Sequence, residues 1–415
     1  MTPDVLVIGG GIIGVATAYY LAREGARVTL VERETVAAGS SYGNAGLVTP
    51  SESPPLPSPA ALKKGVRWLF DPTSPLYIKP RPDPELLKWL WRFRGACTEV
   101  AFRRGMGPLH KLSARSVILY RALVEEEGIE APFEQRGLLM VYRTPQGLEE
   151  GQQWAEAVRA LGIEPEVWSA EQVRQRVSCA RPEIVGGIYY REDAHMEPAN
   201  FVRQLAERAR ARGVTLQEHT EVLDLEVKGN AVRRVVTTRG TCAPDQVVLA
   251  AGAWAPVVAR KVGLRLPIQA AKGYSITVQR PNGYPELPLI LDEAKVAVTP
   301  MGPWLRFAGT LELAGLDLSV NPVRVKAIQR AVSQYLALSP EEEPLVELWR
   351  GLRPCTPDGL PIIGRVPHLP NLIVAAGHCM LGISQGPATG KLVADLVLGH
   401  EPDIDPTPFR VDRFL

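Results

Sequence analysis

Val5-Leu6-Val7-Ile8-Gly9-Gly10-Gly11-Ile12-Ile13-Gly14 joins an apolar run to a glycine-rich turn at the start of the chain. Four consecutive apolar residues suit a strand buried on both faces. The glycines have separate duties. Gly9 turns the chain sharply, Gly11 lets the backbone approach a pyrophosphate, and Gly14 lets the following helix pack close to the sheet. That helix, residues 12–24, presents its N-terminal N–H groups and positive dipole end to the phosphates. Gly25 ends it, 28–31 form a second apolar strand, and Glu32 stands eighteen residues after Gly14, where a carboxylate binds ribose hydroxyls. A lone G-x-G-x-x-G would equally suit a structural turn. Strand, helix, strand and acidic residue in this order predict a dinucleotide-binding βαβ unit.

The chain has 415 residues, beyond the size at which one core keeps growing, so two domains are expected. Hydrophobic residues make up 46%, yet no run approaches the ~20 apolar residues of a membrane span. The first strand begins at residue 4 and leaves no room for a leader, which predicts a cytoplasmic protein. Cys97, Cys179, Cys242, Cys355 and Cys379 are odd in number, scattered and without a C-x-x-C pair, and are expected as reduced thiols. The six histidines lack H-E-x-x-H or C-x-x-H spacing, so no metal is expected. A net charge of +2 points to neither nucleic acid nor an acidic partner.

After Glu32 comes a small-residue loop, Ala37-Ala38-Gly39-Ser40-Ser41-Tyr42-Gly43-Asn44-Ala45-Gly46-Leu47. It reads either as a backbone-rich lip against a flat cofactor or as a surface linker. Over 54–106 prolines punctuate two short helices, 60–70 and 85–94. There Trp68, Leu69, Phe70, Trp89, Leu90, Trp91 and Phe93 lie among Lys63, Lys64, Arg67, Lys88, Arg92 and Arg94. This suits a peripheral membrane contact through 60–94, on the inner face of the cell membrane, and equally a core-capping lid with snorkelling basic residues.

A long helix at 110–127 follows, then strand 137–142, helices 148–161 and 169–177, strand 186–190, a turn at 193–198 and a helix at 198–212. Short strands at 215–217, 221–227 and 232–237 lead to 246–250, as apolar as the first strand. A second excursion carries strand-like 268–279 and 296–309 and a helix at 323–336. Strands 360–364 and 372–376 and a glycine-headed helix at 382–398 complete the chain. Segments 1–50, 197–264 and 346–415 are thus expected to form the nucleotide domain, and 51–196 and 265–345 a substrate domain filling the gaps.

Four stretches carry a resemblance that spans nearly the whole chain: Ile8 to Gly14; Asn44-Ala45-Gly46; Lys272-Gly273-Tyr274-Ser275; and Gly351-Leu352-Arg353-Pro354-Cys355-Thr356-Pro357-Asp358-Gly359. The chain resembles the flavin-dependent amine oxidoreductases of the D-amino-acid oxidase fold, most closely the D-amino-acid dehydrogenases of the small-subunit type. The turn Asp193-Ala194-His195-Met196-Glu197-Pro198 and the Gly351 to Pro354 run are also similar to glycine oxidase. The resemblance implies an α/β fold: a Rossmann-type, glutathione-reductase-like FAD-binding domain with an inserted α+β substrate domain built on a mixed sheet. It implies non-covalent FAD. To cofactor binding it assigns Gly9, Gly11, Ile12, Ile13, Gly14, Glu32 and Arg33, then Ser40, Ser41, Asn44, Ala45, Gly46 and Leu47 of the loop. It adds Val222; Ala251, Gly252 and Trp254; Gly351 and Arg353; and Gly377, His378, Leu381, Gly382, Ile383 and Ser384.

Arg353 is expected to bind a substrate carboxylate, because a guanidinium fork matches it with two parallel charge-assisted bonds; the alternative is an interdomain ion pair. Tyr274 matches the position where relatives place a substrate-facing hydroxyl, the alternative being a purely structural tyrosine. The N-terminus of the last helix is expected at the pyrimidine edge of the flavin, where its N–H groups stabilise negative charge. In relatives the Cα hydrogen passes to the flavin as hydride, and the imino acid hydrolyses to a 2-oxo acid and ammonia. No catalytic acid–base pair is then needed.

Two departures limit the transfer. Met380 stands where similar glycine oxidases carry arginine, and the surroundings of Cys355 match poorly to the sarcosine oxidases that bond flavin to a cysteine there. The reading is an FAD-dependent dehydrogenase of D-amino acids that passes electrons to a quinone or other non-oxygen acceptor. Alternatives are a D-proline or D-hydroxyproline dehydrogenase, an oxidase of glycine or sarcosine, or an FAD-bearing electron-transfer subunit of a hetero-oligomer.

Overall fold

The computed structural model describes residues 3–62, 74–131, 133–284 and 286–414. Two sheets organise it. The first has six strands in the order Thr215–Gln217, Arg27–Val31, Asp4–Ile8, Gln246–Leu249, Leu369–Ala376 and Ile362–Val366. The first five run parallel and the last is antiparallel. The opening strand is apolar throughout because both its faces are covered. Val5 and Val7 join a core with the helices Ile12–Arg23, Pro198–Ala211 and Gly382–Leu398, while Leu6 and Ile8 meet Val222, Leu225, Val232 and Val235 of a small three-stranded sheet.

Glycine sets how closely the helices approach. A Cβ on Gly14 would lie 1.8 Å from the Gly9 carbonyl oxygen, and one on Gly390 2.6 Å from the Ala16 Cβ. Gly9 itself has φ +115°, a backbone region that L side chains rarely adopt.

The second sheet is mixed. Its main path runs Leu345–Cys355, Gln269–Gln279, Trp304–Leu313, Val296–Met301, Leu289–Leu291, Leu138–Tyr142, Gly186–Tyr190 and Glu166–Ser169, and Leu76–Ile78 also pairs with Trp304–Leu313. The helix Pro322–Tyr335 packs Ile328 and Val332 onto one face of it. The expected α/β class with a mixed second sheet is what the chain forms.

Three expectations need correction. Segment 346–415 does not return at once to the first sheet: Leu345–Cys355 pairs along its length with Gln269–Gln279, so the return follows Cys355. The long helix starts at Glu99, not at 110, and runs through Gly105, Gly107 and Pro108 to Glu127. Thr98 caps its start by accepting from the Ala101 N–H, and Gly105 sits against Pro55 and Leu360, so packing overrides the local helix-breaking signal. Its Leu109, Leu112, Tyr120 and Leu123 belong to the core of the first sheet, although sequence assigned 51–196 wholly to the substrate domain.

The third concerns 60–94. Residues 63–73, with Trp68, Leu69 and Phe70, lie outside the described residues. The helix Pro84–Ala96 forms, capped by Asp83. Trp89 is buried in it, stacked on Phe93 and donating its indole N–H to the Cys355 carbonyl at 2.9 Å, so it is core and no interface anchor. Trp91, by contrast, is 73% exposed. Among the described residues no helix is long and apolar enough to cross a membrane.

Gly14→Ala is expected to lower stability by about 1–3 kcal/mol, because its Cβ meets backbone that cannot step aside. Gly107→Ala, inside the Glu99–Glu127 helix with open space around it, is expected to raise stability by about 0.5–1 kcal/mol. Denaturant midpoints should move in opposite directions, and a shared sign would refute the packing account.

Candidate functional site

An elongated cavity of about 530 Å³ runs along the carboxyl ends of the first sheet. At one end Glu32, Arg33, Val222 and Trp254 line it, with the Arg33 guanidinium 4.8 Å from the Trp254 ring centre. The Glu32 carboxylate accepts from the Gly10 N–H at 2.6 Å and the Glu34 N–H at 2.9 Å. These bonds fix its orientation and leave further lone pairs for hydroxyl groups. Gly9, Gly11, Ile12, Ile13, Ala251 and Gly252 form the middle. A Cβ on Gly11 would meet only the Ser41 hydroxyl, at 3.3 Å, so this glycine keeps the cavity wall open where a phosphate would pass. Ser41 accepts from the Ile12 N–H at 3.0 Å and ties the small-residue loop to the helix N-terminus. Gly14 serves packing and lies behind the wall.

The small-residue loop is a built lip. Ser40 donates to the Leu352 carbonyl, and Asn44 accepts from the Gly46 N–H at 2.8 Å. Gly46, at φ +75°, leaves no room for a side chain, since a Cβ would lie 2.1 Å from the Met196 carbonyl oxygen. Ser40, Ser41 and Asn44 line the cavity; Ala45 and Gly46 lead on into the strand Leu47–Val48, which pairs with Ala194–Met196. Two residues absent from the sequence assignment hold this lip. Buried Arg306 donates to the Tyr42 and Asn44 carbonyls at 3.1 and 2.9 Å and to the Thr277 hydroxyl at 3.1 Å. The Trp349 ring fills the space that a Cβ on Gly43 or on Gly351 would need. The paired glycines were the only sequence signal for it.

Gly377, His378, Cys379, Gly382 and Ile383 close the far end, beside the N-terminus of the helix Gly382–Leu398. The first N–H groups of a helix have no intrahelical acceptor. Leu381 is the cap residue, and the Ser384 hydroxyl donates to the Leu47 carbonyl. The His378 ring turns away to Thr389 at 3.0 Å, and burial pushes its pKa down to about 3, so it is neutral.

Arg353 lies beside Pro354 and Cys379 of this wall. Its guanidinium covers Gly273, where a Cβ would lie 1.7 Å from Nη1, and it donates to the Thr310 carbonyl at 2.8 Å. Among the described residues no carboxylate pairs with it, and burial lowers its pKa from the ordinary arginine value. Tyr274 is the correction. Register places Ala271 opposite Arg353 and Tyr274 opposite Arg350, so Tyr274 points to the other face of the sheet. There it is buried, donating to Glu312 at 3.0 Å and accepting from the Asn321 N–H at 3.1 Å, and it does not line the cavity.

A family model described as FAD dependent oxidoreductase matches residues 4–396. The chain belongs to this family. The D-amino acid dehydrogenase of Paramagnetospirillum magneticum is 35% identical over 421 residues, 99% of this chain and 98% of its own length. That of Allorhizobium ampelinum is 32% identical over 416 residues, 99% and 98% of the two chains. The glycine oxidase structure from Geobacillus kaustophilus superposes with a TM-score of 0.81 at 26% identity, over 100% and 99% of the chains. The L-proline dehydrogenase from P. horikoshii shares the fold at TM-score 0.77 and 22% identity.

The cavity of this FAD-dependent oxidoreductase suits its cofactor. A helix N-terminus beside a Cβ-free wall suits a pyrophosphate, the fixed Glu32 carboxylate has lone pairs free for hydroxyls, and small side chains at Ala38 to Ser41 leave the cavity room for a flat ring. Glu32→Ala removes charged hydrogen bonds of about 1.5–3 kcal/mol and is expected to weaken FAD retention roughly 10- to 100-fold, read from the flavin-to-protein ratio after dialysis. Full retention would show that Glu32 serves the turn alone.

Proposed function

We propose that the protein oxidises D-amino acids to 2-oxo acids and ammonia, and that Arg353 anchors the substrate carboxylate. The observation that carries this is a guanidinium buried beside the cavity that donates to the Thr310 carbonyl and has no counter-charge among the described residues. A buried cation of this kind favours an anion, and its fork matches a carboxylate. Full-length relatives named D-amino acid dehydrogenase support the substrate class. FAD, when bound, supplies the two-electron acceptor for the hydrogen leaving Cα. The chain's residues then position and polarise: Arg353 fixes one end of the substrate, Arg306 and Trp349 hold the loop that carries Asn44 to Gly46, and the N–H groups heading Gly382–Leu398 stabilise negative charge. With His378 neutral and turned to Thr389, no histidine is assigned to proton transfer.

The acceptor is proposed to be a quinone reached from a membrane surface. Leu87, Trp91 and Val100 are exposed at 67%, 73% and 78%, beside exposed Lys88, Arg92, Arg94, Arg103 and Arg104. Apolar anchors ringed by basic side chains suit an anionic headgroup layer.

Arg353→Ala is expected to lower kcat/KM by tens to thousands of fold, from about 2–5 kcal/mol, with flavin content unchanged. Arg353→Lys should recover only part, lacking the fork. Anaerobic bleaching of the flavin with D- and L-amino acids, glycine, sarcosine and D-proline identifies the substrate; reduction by L-amino acids alone would overturn the reading. In liposome flotation, salt-sensitive binding to anionic vesicles should disappear in a Leu87→Ser/Trp91→Ser variant. A protein that stays in solution with every lipid and turns over fully with oxygen would refute the acceptor.

A further inference from the structure

The Cys355 and Cys379 sulfurs lie 2.8 Å apart in the wall of the cavity, although the residues are 24 positions apart in sequence. A covalent S–S bond is about 2.05 Å. The backbones already hold the pair in place: the Cys379 N–H donates to the Pro354 carbonyl at 2.9 Å, and Cys355 bridges to His378 in antiparallel fashion. Cys379 lines the cavity and is partly exposed, whereas Cys355 is fully buried behind it, against Leu86, Trp89, Ala271 and Leu313. Arg353, two residues before Cys355, supplies a positive charge to both sulfurs.

We propose that Cys355 and Cys379 form a reversible intramolecular disulfide, closed by a peroxide, and that closing it strengthens the hold of Arg353 on a carboxylate. The two thiols have distinct parts. The hydrogen bond from Cys355 holds the Cys379 thiol below its ordinary range, helped by Arg353 and opposed by burial, while Cys355 is pushed up by the same hydrogen bond and by burial. Cys379 faces the cavity and is the thiol a peroxide reaches, with Cys355 buried behind it as the second thiol. Cys379 takes one oxygen of hydrogen peroxide to become a sulfenic acid, and the departing hydroxide gains a proton to give water. Cys355 then loses its proton to the sulfenic oxygen and attacks the sulfur, forming the S–S bond as a second water leaves. Two thiols and one peroxide become one disulfide and two waters, and an external dithiol reverses the change.

The consequence is electrostatic. While reduced, Cys379 can carry a thiolate beside the Arg353 guanidinium, its pKa being held below the ordinary thiol range, and that thiolate competes with an incoming carboxylate. The disulfide is neutral, so Arg353 is left with the Thr310 carbonyl and N–H donors that an anion can take. This effect rests on the reading of Arg353 as carboxylate anchor; the bond itself does not.

The test uses the holoenzyme, treated with hydrogen peroxide or with dithiothreitol, then denatured, alkylated and digested for mass spectrometry. The expected product is a Cys355–Cys379 linked peptide that dithiothreitol abolishes. With a D-amino acid and a dye acceptor, the peroxide-treated enzyme should show a KM lower by about threefold or more. Cys379→Ser removes the thiol that meets the peroxide, so it should form no link and show the same KM before and after peroxide. Absence of the linked peptide from the wild-type enzyme, or an equal KM shift in Cys379→Ser, overturns the proposal. If the link forms and KM does not move, Arg353→Ala separates the causes. A raised KM in that variant refutes the coupling, and an unchanged one refutes the anchor while leaving the disulfide standing.

Discussion

The contact between Gly14 and the Gly9 carbonyl is the constraint on which the rest of the molecule depends. With no Cβ at position 14, the helix Ile12–Arg23 lies directly on the strand end, and its N-terminus opens at the carboxyl edge of the sheet. The last helix repeats the device from the other side. A Cβ on Gly386 would lie 2.3 Å from Ile12 Cγ1, and Gly390 presses on Ala16. Two helix N-termini therefore reach the same cavity, one at its middle and one at its far end. The Tyr120 hydroxyl, from the long helix Glu99–Glu127, donates to the Ile383 carbonyl at 2.7 Å and locks the arrangement.

Against this frame the second sheet works by alternation. Trp349, Gly351 and Arg353 share one face of their strand, with Ala271, Gly273 and Ser275 opposite them. Glycine at 273 and 351 gives the two large side chains room to lie flat, so Arg353 covers one and Trp349 the other. Arg306, two strands away, reaches the same side and holds the small-residue loop. The opposite face carries Tyr274, Lys272 and Glu312, a buried polar group in which Lys272 lies 3.4 Å from Glu312 and donates to the Ser319 carbonyl at 2.8 Å. Among the described residues, one face thus carries Arg353 with a carbonyl partner and no counter-charge, and the other pairs its charges internally.

Much of the fold was legible from residues that lie close together in the chain. Gly9 to Glu32 form one βαβ unit whose signals are glycine placement, an unbroken apolar strand and a carboxylate at the second strand's end, all within thirty residues. The family motif at Gly351 to Gly359 marked Arg353, and the helices read at 382–398 and 323–336 match those formed to within a residue. What stayed illegible depends on partners far away. A strand's face is set by its register, and a one-residue change reverses it, so only pairing with Leu345–Cys355 decided that Tyr274 and Arg353 lie on opposite faces of the sheet. Gly105 and Pro108 argue locally against a helix, yet contacts with Pro55 and Leu360 and the core around Leu109 and Tyr120 carry it through. Trp89 and Trp91 share one composition and have opposite fates, because Cys355 and Ala271 happen to cover one side of their helix. Sequence determined that this chain builds a dinucleotide site and brings an arginine toward it. Tertiary structure alone decided which side chains face that site, since burial and register are properties of pairs of segments and belong to neither segment by itself.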